Sequence, residues 1–152
     1  MIRIVTESMS DFTQEEAKAA DLIVMPLPIR FGMEEYWDDG VSLTQDDFYA
    51  RLRVAKELPK TSQVPVEHYR KCFNRLLENP EDEVLVITGS SKLSGCYQSA
   101  CIAREACHDP ARVTVLDSLN ATCAEYMLVD QALRYRREGV SGGVHATDQD
   151  AI

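Results

Sequence analysis

Hydroxyl side chains recur in four short runs of this sequence: Thr6-Glu7-Ser8, Thr61-Ser62-Gln63, Gly89-Ser90-Ser91-Lys92-Leu93-Ser94-Gly95, and Asp117-Ser118 with Asn120. Each leads into a segment with helical character, so the unpaired backbone N–H groups of a helix start lie close to every run. Converging hydroxyls and N–H groups can hold a carboxylate or a phosphate by hydrogen bonds. A Ser or Thr ahead of a helix is in most cases only a cap, and capping accounts for any one run taken alone. It does not account for the strand-loop-helix Gly/Ser stretch at 89–95, nor for several runs gathered at one end of a sheet.

Reactive alternatives fail on spacing. A phosphate-binding P-loop needs Lys and Ser/Thr directly after its second Gly, and here Cys96 and Tyr97 follow Gly95. A nucleophile elbow needs Gly two residues after the Ser, and Leu93 stands two after Ser91. The dinucleotide signature G-x-G-x-x-G is absent. His68 and His108 fall on expected helices and His145 near the end of the chain, where lone histidines read as surface or packing residues. The five Cys (72, 96, 101, 107 and 123) are odd in number and contain no C-x-x-C, so they read as buried or spectator thiols, and no metal site is expected.

The elements that must carry these runs are short. Ile2-Arg3-Ile4-Val5, Leu22 to Met25, Val84 to Ile87 and Val113 to Leu116 read as strands, Leu22 to Met25 as a continuous apolar run buried on both faces and the last two as buried strands. Helices are expected over Thr13 to Ala20, from Thr44 as N-cap with Phe48, Leu52 and Ala55 on one face, and from Pro65 with Tyr69, Cys72, Phe73, Leu76 and Leu77 on one face. Two more run over Tyr97 to His108 and Ala121 to Glu138. Ile29–Phe31 and Glu35–Trp37 flank Gly32 as a hairpin, and Lys60 to Val64 reads as a polar loop. The alternation predicts an α/β domain with a mainly parallel β-sheet flanked by helices, whose ligand site lies outside the carboxyl ends of the strands.

With 152 residues, 45% hydrophobic and 27% charged, the chain fits one globular domain that needs no disulfide or metal staple. No run approaches the ~18 apolar residues of a membrane span. The start, MIRIVTESM, is too short an apolar stretch for a signal peptide and points to the cytoplasm. The 16 basic and 25 acidic residues give a net charge of −9, a field that repels nucleic acid and anionic lipid; neither is an expected partner, nor is stable membrane insertion.

A longer pattern is specific. Ile4-Val5-Thr6-Glu7-Ser8, Val24-Met25-Pro26-Leu27, Phe31-Gly32-x-x-x-Tyr36, Asp39-Gly40-Val41, Phe48-Tyr49-x-x-Leu52 and Leu58-Pro59-Lys60-Thr61-Ser62-Gln63 come first. Ser90-Ser91-x-Leu93-Ser94-Gly95-x-Tyr97-Gln98-Ser99-Ala100 and Val115-x-Asp117-Ser118 follow. In this order, over residues 2–138, the chain resembles the DegV family of bacterial fatty-acid-binding proteins. The resemblance implies a binder and not an enzyme, with no cofactor: a long-chain fatty acid lies in an apolar tunnel with its carboxylate fixed by hydroxyls. It also implies a partner, a separate fatty acid kinase catalytic subunit to which the acid is presented for phospholipid synthesis. Carried over by motif, the carboxylate ligands are Thr61, Ser62, Ser94 and the Gly95 N–H, with Ser8, Ser91, Ser118 and Asn120 behind them. Read from the residues without the resemblance, two alternatives stay open. One is a phosphotransferase-like enzyme acting on a small phosphorylated ligand at the Ser-rich stretch; the other is an inactive fragment whose hydroxyls only cap helices.

The sequence departs from the family at several places. Glu7 stands where Asp is usual, Met9 where Ser or Thr is, Gly89 where a larger residue is, Cys96 where Thr is and Val64 where Pro is. Ala124 and Tyr126 replace a Gly-x-Gly, and Tyr126 is expected to narrow a tunnel wall or shift the last helix. The family's second, C-terminal domain has no counterpart in these 152 residues. Residues 1–138 are therefore expected to form an N-terminal-type domain that exposes an apolar patch and encloses a lipid tail incompletely. Residues 139–152 are expected to be a flexible tail or truncated end.

Overall fold

Ile4 and Val5 set the layering. Neighbouring residues of a strand point to opposite faces, and both side chains are fully buried, so β1 (Ile2–Glu7) must be covered on two sides. In the computed structural model, which describes residues 1–139, β1 sits inside a four-stranded parallel sheet. Its order is β2 (Leu22–Met25), β1, β6 (Glu83–Thr88) and β7 (Val113–Asp117). Helices α3 (Val66–Leu76) and α4 (Cys96–Glu105) cover the Val5 face, where Tyr69, Phe73, Leu76, Ala100 and Ala103 pack on Val84, Val86 and Val113. Helices α1 (Gln14–Ala19) and α5 (Cys123–Arg137) cover the Ile4 face, where Ala17, Val129 and Leu133 meet Leu85 and Ile87. The α/β architecture with a parallel core is thus the one the sequence predicts.

Because the four strands are parallel, Glu7, Met25, Thr88 and Asp117 end at the same edge of the sheet. The chain leaves β1 for β2 on one side and returns to β6 on the other. The switch point, where α/β sheets open a crevice, therefore lies between Glu7 and Thr88.

A second, antiparallel sheet orders β4 (Glu34–Trp37), β3 (Pro28–Phe31) and β5 (Lys60–Thr61). Gly32, at φ 60°, supplies the left-handed residue of the expected β3–β4 hairpin. Lys60 and Thr61, expected as loop, pair with Arg30 and Ile29 instead. Two exposed polar residues carry no alternating pattern that could announce a strand. Helix α2 (Gln45–Val54) starts as expected, with the Thr44 hydroxyl accepting the Asp47 N–H at 3.2 Å, but buries none of its residues. The tail expected over 139–152 lies, beyond Gly139, outside the described residues. Among the described residues no helix is long and apolar enough to cross a membrane.

At the amino ends of β6 and β7 one side chain closes the fold. Arg112 donates to the carbonyls of Leu77 (3.1 Å), Asn79 (3.0 Å), Pro80 (3.3 Å) and Asp82 (2.8 Å), and to the Asp109 carboxylate (2.8 Å). Arg112→Met, which keeps the aliphatic stem, is expected to cost about 2 kcal/mol in urea unfolding, because charge-assisted bonds to carbonyls are lost together. A loss below about 0.5 kcal/mol, the size of an ordinary surface change, would mean that water replaces the guanidinium at those carbonyls.

Candidate functional site

The start of α4 gathers two of the hydroxyl runs. Gly95 is its N-cap, and the Gln63 side chain lies so close that a Cβ on Gly95 would stand 3.1 Å from Gln63 Cδ. Next to it the Val64 N–H donates to Cys96 Sγ at 3.5 Å. The 61–64 segment is thereby docked on the turn that carries Ser94. From the other side Ser62 N–H donates to the Pro28 carbonyl at 3.2 Å, so the small sheet holds the segment in place. Thr61 and Ser62 are exposed and Ser94 half-buried. Ser94 Oγ accepts the Cys96 N–H at 3.2 Å, which leaves its own O–H free to donate to an anion.

The residues expected behind these hydroxyls brace the surrounding loops. Ser8 Oγ accepts the Leu27 N–H at 3.1 Å and fixes the crossing from β2 to β3. Ser91 is exposed, and its N–H donates to Asp117 Oδ1 at 3.1 Å. Asn120 N–H donates to Ser118 Oγ at 3.1 Å, Asn120 Nδ2 to the Ser118 carbonyl at 2.7 Å, and Ser90 N–H to the Asn120 carbonyl at 2.7 Å. The turn at 89–95 is in this way tied to both the β7 end and the 118–122 loop.

Under the turn lies a pair of acids that the residue pattern alone does not mark as a pair. Glu7, the last residue of β1, and Glu125, from the first turn of α5, are both 0% exposed. Gly89 N–H donates to Glu7 Oε1 at 2.6 Å, and the Thr6 hydroxyl donates to Glu125 Oε1 at 3.1 Å. The second oxygen of each carboxyl group has no hydrogen-bond partner among the described residues. Burial pushes Glu7 up to about 7 and Glu125 up to about 8, the latter helped by the Glu7 charge. Burial likewise pushes the Tyr69 hydroxyl well up and raises the Cys96 thiol, which lies against it. The nearby thiol and phenol are therefore held protonated, the opposite of an activated nucleophile.

The departures at 7 and 89 belong together here. A Cβ on Gly89 would stand 2.7 Å from Met9 Sδ, 3.0 Å from Glu7 Oε1 and 3.1 Å from Glu125 Oε2. Met9 and the longer acid at position 7, both departures from the family, thus take up space that a side chain at 89 would fill, together with Glu125. These departures are the one signal in the sequence that could draw attention to Glu125. Tyr126 stacks on Phe12 with ring centroids 4.0 Å apart and packs α5 against the start of α1. Among the described residues, no group of three or more His, Cys, Asp or Glu is placed to hold a metal ion.

Comparison with known proteins fits this layout. The family model described as an uncharacterised protein of the DegV family matches residues 1–145. A DegV domain-containing protein of Caldanaerobacter subterraneus is 39% identical over 140 residues, covering 92% of this chain and 49% of its own. A Thermotoga maritima protein named a fatty acid-binding protein is 35% identical over 130 residues, covering 81% of this chain and 42% of its own. The crystal structure of a stearic acid-binding protein from Eubacterium ventriosum superposes with a TM-score of 0.83 at 32% identity, covering 91% of this chain and 48% of that one. The chain spans about half the length of the curated relatives it matches.

Proposed function

This chain belongs to the DegV family, and from that premise we propose that it binds a long-chain fatty acid by its carboxylate, as a cytoplasmic carrier and not an enzyme. The ligands in this reading are the hydroxyls of Thr61, Ser62 and Ser94 and the Gly95 N–H. The observation that carries it is the docking of the 61–64 segment on the start of α4, with Gln63 against Gly95. Two hydroxyl-bearing segments distant in sequence then face one anion beside a helix N-terminus. A carboxylate leaving water needs such charge-assisted donors, or its desolvation prevents binding.

The tail supplies the rest of the affinity, at about 0.8 kcal/mol for each CH₂ removed from water. Val54 and Leu58 (80% exposed) and Leu93 (72%) are apolar surface that a second half, of the length the relatives have, would cover while closing over the tail. A fatty acid so held could be presented to a separate kinase that phosphorylates the carboxylate.

Ser94→Ala tests the reading. Oleate affinity, followed by displacement of a fluorescent fatty acid, is expected to fall by about 10- to 100-fold, the worth of one hydrogen bond to a charged group. Oleyl alcohol should lose much less. Equal losses for acid and alcohol would show that Ser94 shapes the turn and does not read the charge. Mass spectrometry of lipid extracted from the purified protein checks the ligand class directly, and absence of any fatty acid there and in titration would reject it.

A further inference from the structure

We propose that Glu7 and Glu125 share a proton, and that this proton holds the 89–95 turn in the position that presents Ser94 and Gly95. Both carboxyl groups crowd one point: the place a Gly89 Cβ would take is 3.0 Å from Glu7 Oε1 and 3.1 Å from Glu125 Oε2. Both side chains are fully buried, and each leaves one oxygen unpartnered among the described residues. Two ionised carboxylates there would repel each other, and neither forms an ion pair among the described residues.

Among the described residues, no cation stands among the groups acting on the pair. The groups that act on the pair are Asp117 from the end of β7, Asp11 from the segment after β1, Tyr69 from α3 and Cys96 from α4. Two are acids that add repulsion, and two are neutral groups. The remaining contacts are the Gly89 N–H and the Thr6 hydroxyl, one for each carboxyl group. A proton on one acid removes the repulsion and converts its oxygen into a donor for the other. Like-charged carboxyl groups buried side by side are known to titrate as a pair, the second ionising harder than the first. Burial raises both groups towards and above neutrality, in agreement with the geometry.

The turn feels the proton through Gly89. Its N–H bond to Glu7 fixes the first residue of the turn, Ser90 N–H is held by Asn120, and Ser94 N–H donates to the Ser90 carbonyl at 3.0 Å. Full ionisation drives Glu7 and Glu125 apart and moves the residue from which the turn is built. The two glutamates are thus positioning residues. Their hold on the turn does not depend on which ligand binds there; only its effect on fatty-acid affinity rests on the proposed function.

NMR of the glutamate side-chain carboxyl carbons in the unliganded wild-type chain is the direct test. Two of them should titrate together, well above the ordinary carboxylate range. All glutamates titrating near their ordinary values would overturn the proposal, and so would a response of these two signals to added calcium in place of pH. Amide exchange then reads the turn. After correction for intrinsic rates, protection at 89–95 should fall by about tenfold or more from about pH 6 to about pH 9 in the wild type. In Glu125→Gln, whose amide is a permanent donor, it should stay flat. The same fall in both proteins would detach the turn from the pair. The carboxyl titration needs no variant, so it decides even if Glu125→Gln does not fold.

Discussion

Gly89→Val is expected to destabilise the protein by about 3 kcal/mol or more, as overpacking of a closed interior does. The new Cβ would meet Met9 Sδ at 2.7 Å, Glu7 Oε1 at 3.0 Å and Glu125 Oε2 at 3.1 Å. The methionine can swing aside, but the two carboxyl groups cannot: both are buried, and moving either breaks its one hydrogen bond. Glu7→Asp shortens the acid by one methylene and withdraws it from Gly89. The double variant Glu7→Asp/Gly89→Val should therefore lose less than the two single changes added together, by about 1 kcal/mol or more of coupling. Urea midpoints of the four proteins give the answer. Strict additivity would show that position 89 is closed by Met9 and Glu125 and not by Glu7.

The second large effect is on stability against pH. In the folded chain Glu7 and Glu125 ionise near 7 and 8, while in the unfolded chain they do so near the ordinary 4.5. Well below pH 4.5 both groups are protonated in both states, and the stability they confer is fully present. As pH rises the unfolded chain releases these protons first, so stability falls, and the loss is complete once the folded pair has ionised above about 8. The fall from pH 5 to pH 9 should be several kcal/mol, since each tenfold gain in proton affinity on folding is worth about 1.4 kcal/mol and both acids gain. Burial raises Asp38 as well, adding a little in the same direction. Exposed Glu16, Glu34 and Glu67 are held low by hydrogen bonds and neighbouring cations, so they act only at more acid pH and in the opposite sense. Glu125→Gln should flatten the curve. Equal slopes for variant and wild type would place the pH dependence elsewhere.

Strands are legible where the residues are apolar throughout, or nearly so: Val84–Ile87 is buried on both faces, and the edge strands Leu22–Met25 and Val113–Leu116 are partly so. Helix starts are legible where a side chain caps them, as Thr13 and Thr44 do. Ends are less so. Helix α4 stops at Glu105, three residues short of the expected His108, because Cys107 is buried and continues the apolar period past the point where the backbone turns. Helix α5 begins at Cys123 and not Ala121, since Thr122 has φ 54° and cannot be helical. At the site, the hydroxyls are visible as residue types in loops, and the strand order explains their gathering at one edge. The acid pair is not visible. A glutamate on a long helix reads as solvated, and nothing local says that Glu125 faces the end of a strand at the far start of the chain.

Assembly order follows from the position of β1. Its neighbour β2 lies close by in sequence, but its other neighbour pairs Ile2 with Glu83, so the centre of the sheet closes only after more than half of the chain has been made. Closing so long a loop costs entropy before any contact repays it, and non-local parallel pairing is slow for that reason. The β3–β4 hairpin and the capped helices can form early, while Glu7 is still an ordinary carboxylate in water. Its desolvation, the seating of Gly89 and the docking of Gln63 on Gly95 all wait for β6 and α4. The proposed anion site is thus among the last parts of the molecule to form, and a ligand that fits it would draw the folding equilibrium forward by mass action.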